Sequence, residues 1–288
     1  MTPLAGGWSG QTFVAEAAGE RSVVRIYPPG LRDDSAPDVD AAVLRLVRGL
    51  VPVPEVLEVR RGAVEADQPG LLVTSYVPGE RGDLVLPSLD DPGAAALGDH
   101  LGHLLADLAG MPTLHAGPFV DPDLTIGDFG VADGLPGFVA DHADALGWDS
   151  SLLDRLERVA DRAQVLLDTV GRTCLVHSDA NPKNLLVDPG SLTVTAVLDW
   201  EFAHSGHPFT DLGNLLRFDR RPAYGDAVLA AWCSRRGGTP TDALDLARAA
   251  DLWGLVDLAS RRGQNPVADR AHAHLAAIAR TGDPDALP

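Results

Sequence analysis

Lysine is nearly missing from this chain. Lys183 is the only one, so arginine makes up the rest of 23 basic residues set against 41 acidic ones, a formal net charge of −18. Binding to nucleic acid needs clustered Lys and Arg, and that class of partner is excluded. Cysteine is scarce too: Cys174 and Cys233 cannot build a disulfide framework, which points to a reducing cytoplasm. No apolar run reaches about 18 residues, and no basic start leads into an apolar stretch, so neither a membrane span nor a secretory leader is expected. There is no internal repeat and no low-complexity tail. What remains is 288 residues, 45% of them hydrophobic, enough to bury a sizeable core as one large domain or two lobes.

The first 80 or so residues read as strands. Gln11–Ala17 and Arg21–Tyr27 are short apolar and β-branched runs joined by Ala18-Gly19-Glu20, a hairpin signal. A small-residue turn, Ala5-Gly6-Gly7-Trp8-Ser9-Gly10, precedes them. Apolar residues at helical spacing predict a helix over Asp38–Leu50 with Asp38 as its cap, stopped by Val51-Pro52-Val53-Pro54. Two more strands, Glu55–Val59 and Leu71–Val77, close the unit. Beyond it the periodicity turns helical, over Ala94–Leu108, Ser150–Val170, Ala223–Ser234, Asp242–Ser260 and Val267–Ala279. Gly110–Gly137, rich in Gly, Pro and Asp, reads as a long surface loop. Lobes of 1–79 and 80–288 are expected.

One segment carries chemistry. His177-Ser178-Asp179-Ala180-Asn181-Pro182-Lys183-Asn184 spells His-x-Asp-x-x-x-x-Asn between two short apolar strands, and Asp199 follows the strand-like Thr193–Leu198. Phosphoryl transfer needs a carboxylate to orient and deprotonate the attacking hydroxyl, and oxygen ligands for Mg²⁺. Asp179 at the tip of a pinned loop suits the first role, Asn184 and Asp199 the second. His177 suits bracing the loop. Asp128-Phe129-Gly130 imitates a metal-binding tripeptide but precedes the catalytic loop, so it reads as loop.

On HSDANPKNLLVD, VLDWEFAHSGHPFTDLGNLLR, VPVPEVL and LLVTSYVPG, the chain resembles the aminoglycoside phosphotransferase family of small-molecule kinases. The resemblance implies an α+β, bilobal protein-kinase-like fold, with a small antiparallel β-sheet N-lobe bearing one helix and a larger, mainly helical C-lobe. It implies ATP, with GTP also open, and Mg²⁺ as cofactors. It makes Asp179 the base, Asn184 and Asp199 the metal ligands, and Asp211 a buried acid steadying the catalytic loop; from residues alone, an ordinary helix cap is an equal reading of Asp211. Gly7 and Ser9 fall on the phosphate-covering turn, and Ser75, Tyr76 and Val77 on the interlobe hinge beside adenine. Arg25 stands where the family's phosphate-gripping lysine is expected, with Asp40 as its acidic partner. Glu201, Asp128 and Asp251 are nominated to touch substrate, and Asp257 and other loop acids are further candidates. Family and net charge together favour a cationic antibiotic, an aminoglycoside or basic cyclic peptide, and hence resistance. A metabolic kinase for an amino alcohol or sugar is the alternative, and an inactive nucleotide-binding module a third reading.

Overall fold

The computed structural model describes residues 1–4, 10–130 and 134–288. Gly7 and Ser9, nominated for the phosphates, lie outside the described residues. The short edge strand β1 (Thr2–Pro3) pairs with β2 (Gln11–Ala17). Ala18 and Gly19 then take φ of 54° and 83°. Positive φ at both central residues matches the twist of two strands, so β2 turns tightly into β3 (Glu20–Tyr27) with Ala17 opposite Glu20. Helix α1 (Ala36–Val47) buries Asp40, Ala41, Val43, Leu44 and Val47 beneath the sheet. Strands β4 (Val56–Arg60) and β5 (Gly70–Ser75) complete an antiparallel sheet of order β1-β2-β3-β5-β4. The expected cap Asp38 is instead inside the first turn of α1, because the helix begins two residues earlier and carries Pro37 where a missing N–H costs nothing.

The chain crosses through β6 (Glu80–Arg81) and α2 (Gly82–Val85) to the long helix α3 (Asp91–Ala109). The stretch expected as plain loop contains β7 (Pro112–Thr113) and β8 (Gly117–Pro118), each too short to show periodicity, and α4 (Gly134–Asp141) begins within it. Then come α5 (Ala143–Leu146), α6 (Ser150–Leu167), β9 (Thr173–Val176), β10 (Leu185–Val187), β11 (Val194–Val197) and β12 (His204–Gly206). Helices α7 (Thr210–Leu215), α8 (Pro222–Arg236), α9 (Pro240–Ser260) and α10 (Pro266–Thr281) finish the lobe. Four helices start earlier than periodicity suggested, at Asp91, Pro222, Pro240 and Pro266, and each has a proline in its first turn. Three of those four are capped by the preceding Asp90, Thr239 or Asn265 side chain.

Two small sheets frame the middle of the chain. β6, β10 and β11 form one, and β7, β9, β12 and β8 the other. A continuous apolar core runs from Tyr27 and Val47 through Leu185, Val197 and Trp200 to Leu275. Among the described residues no helix is long and apolar enough to cross a membrane.

Candidate active site

The catalytic loop leaves β9 and returns on β10. Ser178 bends it, with a φ of 66° that a side chain tolerates only when held. Asp211 does the holding. Its carboxylate accepts the backbone N–H of His177 at 2.8 Å and of Ser178 at 2.7 Å. Burial pushes this carboxyl up from its usual range, opposed by His177 and by the two N–H groups. Asp211 sits second in α7, not at its cap, and α7 lies hard against α9: a Cβ on Gly213 would come 2.2 Å from the Ala247 carbonyl oxygen. A glycine there lets the backbones approach, and the approach sets the height of Asp211.

His177 is fully buried and ties two segments together. Its Nδ1 accepts the Asp179 N–H at 3.1 Å, so Nε2 must carry the proton that it donates to the Leu198 carbonyl at 2.8 Å. Trp200 packs edge-on against the ring at 4.6 Å. The loop bearing Asp179 and the strand leading to Asp199 are thus braced by one imidazole.

Asp179 is fixed by amides. Asn181 donates to one carboxylate oxygen at 2.6 Å and Asn184 to the other at 2.7 Å, while Lys183 Nζ stands 3.4 Å away. Because the Asn184 nitrogen is spent on Asp179, its carbonyl oxygen faces elsewhere. The Asn184 main-chain oxygen accepts the Leu198 N–H at 2.8 Å, extending the β10–β11 ladder in which Leu185 opposes Val197. Asn184 and Asp199 therefore leave the same end of one ribbon. Asp199 turns off it with a φ of 64° into the short helical turn Trp200–Phe202. Asp179 and Asn184 are joined by a side-chain hydrogen bond, and Asn184 is tied through its main chain to the residue before Asp199.

Arg25 on β3 reaches into this group from above, donating to Asp199 at 2.8 Å and Glu201 at 2.6 Å. Burial pulls its guanidinium down, but Tyr27, Asp199 and Glu201 outweigh that and hold it above its ordinary value. The expected Arg25–Asp40 pair does not form. Asp40 accepts two hydrogen bonds from Arg32, at 2.8 and 2.9 Å, and one from the Tyr27 hydroxyl at 2.7 Å. Its carboxylate is turned to those two partners rather than to Arg25.

The substrate nominations fare differently. Asp251 is buried and forked by Arg217, at 3.0, 3.0 and 2.7 Å, and cannot meet a ligand. The pattern held a signal for this: Ala247, Asp251 and Leu255 share one buried helix face. Asp257 pairs with Arg261. Glu201 points at Arg25, with Arg32 3.7 Å away. Asp128 is exposed and caps its own turn by accepting the Gly130 N–H. At the hinge, the Ser75 and Tyr76 N–H groups bond to the Glu55 and Arg21 carbonyls, and Arg21 stacks 3.8 Å over the Tyr76 ring. Asn181, Lys183, Arg32 and Tyr27 were missed; the first two lie inside the motif, and nothing in local pattern marks the others. Among the described residues no three of His, Cys, Asp and Glu cluster as metal ligands, and the Asn–Asp pair is of another kind.

A bilobal kinase-like fold with these groups at its cleft defines a phosphotransferase architecture. The family model described as "Phosphotransferase enzyme family" matches residues 1–252, and the chain belongs to that family of enzymes. Aminoglycoside phosphotransferase APH(4)-Ia, crystallised with AMP-PNP and hygromycin B, superposes with a TM-score of 0.66 at 20% identity, over 98% of this chain and 93% of that one. A GDP complex of aminoglycoside 2'-phosphotransferase-IIIa gives 0.65 at 18% identity, over 99% and 86%. Similarity at that level speaks for the fold. Among curated proteins, Acyl-CoA dehydrogenase family member 10 of Mus musculus is 29% identical over 214 residues, 72% of this chain. Acyl-CoA dehydrogenase family member 11 of the same species is 45% identical over 53 residues, 18% of this chain. The chain spans only 19% and 7% of those relatives' lengths.

Proposed function

We propose that this enzyme transfers a phosphoryl group from ATP, or a similar nucleoside triphosphate, to a hydroxyl of a small acceptor. The observation that carries the reading is the bonded path from Asp179 through Asn184 to the strand end at Asp199. Held by Asn181 and Asn184, the Asp179 carboxylate keeps lone pairs free to orient an acceptor hydroxyl and take its proton. Asp211 and His177 keep that carboxylate at one height. Arg25 stands ready for the phosphates. The hinge Ser75–Val77 would offer its remaining backbone groups to the base of the nucleotide. The cleft falls between lobes of 1–79 and 80–288.

The donor set fits Mg²⁺: an amide oxygen turned away from Asp179 and a carboxylate 30% exposed are hard ligands, few in number, that leave room for phosphate oxygens and water. Bound by Asn184 and Asp199, the ion supplies charge neutralisation at the phosphates.

For the acceptor, net charge and the hygromycin B complex of a neighbour favour a cationic antibiotic, and with it resistance. The side chains favour the second reading, a metabolite acceptor. Glu201, Asp251 and Asp257 are all paired with arginines, which leaves, among the described residues, the exposed Asp128 as the one nominated acid that could grip a cationic antibiotic without giving up an arginine. The naming of the curated relatives for acyl-CoA dehydrogenase also leans toward metabolism.

Coupled ADP release, screened over basic antibiotics, amino alcohols, sugars and hydroxy acids, tests both. Turnover with one acceptor class, lowered about 10²- to 10⁴-fold by Asp179→Asn, is the expected result. Full activity in that variant would remove the base from the mechanism.

A further inference from the structure

We propose that Glu201, and no acid of α1, is the positioning residue that aims Arg25 at the nucleotide phosphates. The inference rests on the kinase reading above and adds to it the device by which an arginine serves in place of a lysine.

Arg25 points where phosphates would lie. Its Nε comes within 3.8 Å of the Cβ position of Gly10, the described end of the small-residue turn, and its head reaches Asp199. A guanidinium is longer and flatter than an ammonium and needs a carboxylate in its own plane to hold one orientation. From α1, Asp40 does not provide it, since its oxygens are turned to Arg32 and Tyr27. Glu201 can. Its carboxylate is 7% exposed and accepts from Arg25 at 2.6 Å.

Glu201 also stands on a rigid support. The turn that carries it begins at the left-handed Asp199 and contains buried Trp200, whose Nε1 donates to the Val197 carbonyl at 3.0 Å and whose ring lies on His177. The catalytic loop and the arginine's anchor thus share one brace. Asp199 would be an oxygen donor for a metal ion, and a metal nucleotide there would compete with the Arg25 contact on its Oδ1. Glu201 then remains as its tether. Should Arg25 lean further out, Arg32, 3.7 Å from Glu201 and forked onto Asp40, still compensates the carboxylate. The set Arg25–Glu201–Arg32–Asp40–Tyr27 therefore tolerates a moving arginine without leaving a buried charge alone.

Calorimetric binding of Mg²⁺·AMP-PNP, with KM, kcat and thermal melts alongside, tests this on the full chain. Glu201→Gln should weaken nucleotide binding roughly ten- to a hundredfold, the range for one charged hydrogen bond, with a smaller fall in kcat at saturating nucleotide. Glu201→Asp should recover part of the affinity. In an Arg25→Met background, Glu201→Gln should cost nothing further, which a merely structural glutamate would not show. Asp40→Asn should lower the melting temperature more than the affinity. Wild-type affinity in a folded Glu201→Gln protein, or additive losses with Arg25→Met, would overturn the proposal. So would a change confined to the Mg²⁺ requirement, which would put Glu201 on the metal. If the wild-type protein bound no nucleotide, the kinase reading itself would fall, a result distinct from normal binding that ignores Glu201.

Discussion

The two faces of the cleft are built from different interactions. Below, the catalytic loop is held mainly by N–H donors of the backbone, two side-chain amides and one imidazole: Asp211 on two N–H groups, His177 between Asp179 and Leu198, Asn181 and Asn184 on Asp179, with Lys183 the one cation nearby among the described residues. Above, among the described residues, β3 and α1 meet the cleft through ion pairs, Arg25 with Asp199 and Glu201 and Arg32 with Asp40, joined by the Tyr27 hydroxyl on Asp40. Hydrogen bonds from neutral donors fixed in the backbone or in short amides are directional, and they lock a geometry. Ion pairs between partly exposed groups exchange partners and weaken with salt. On the proposed roles, a base at Asp179 would call for the first kind of support, and an Arg25 that trades a carboxylate for a phosphate for the second.

The largest effect that can break this contrast lies below. Asp211→Ala strands two buried N–H groups and should cost about 3 kcal/mol of stability, along with most of the activity. Denaturant titration and turnover check it, and a variant that melts and reacts normally would mean the loop is held by something else. Next comes Gly213→Ala, whose methyl collides with Ala247 and should cost about 1–3 kcal/mol by overpacking α7 against α9. Neither loss should shrink in high salt.

Above the cleft, Arg32→Met leaves Asp40 with only the Tyr27 hydroxyl and should cost about 2 kcal/mol, since the pair is not wholly shielded from water. This penalty should shrink between about 0.05 and 0.5 M salt, where screening shortens from beyond 10 Å to a few ångströms. A salt-independent cost would erase the distinction between the two faces.

The smallest effect is a pH dependence. Burial pulls His207 and His274 down to about 4. An unfolded histidine takes its proton near pH 6.5. Below that the unfolded chain binds protons that the folded one refuses, so stability is full above about pH 6.5 and is lost as pH falls toward 4. About 1 kcal/mol per histidine should go between about pH 7 and 5.5, read from urea midpoints. Replacing His274 by Gln should flatten the slope.

Much of the site could be read along the chain because its parts are close in sequence. Asp179 and Asn184 are one loop, and Asp199 ends the next strand, so a spacing suffices to pair them. The helical lobe was legible for a similar reason: α3, α6, α8, α9 and α10 show their periodicity; the proline-bearing starts of all but α6 were clipped, and α6 ends at Leu167, short of the expected Val170. The pairing of charges was not legible. Arg25 and Glu201 are 176 residues apart, and Arg32 competes with Arg25 for the same acids from within a few residues. An acid's partner depends on which guanidinium arrives and at what angle, and composition says nothing of that. Asp251 shows the same limit, since its Arg217 comes from 34 residues away.

By itself, then, the order of residues determined the kinase-like class, the loop that joins Asp179 to Asn184 and most of the helices, because each rests on contacts between near neighbours or on a repeat of fixed period. Only the folded chain decided which carboxylates are bound to arginines, that Asp40 serves Arg32 and Tyr27, and that Glu201 turns toward Arg25. Those choices arise where β3, α1 and the turn after β11 pack together, and burial then makes every charge there seek the nearest opposite one.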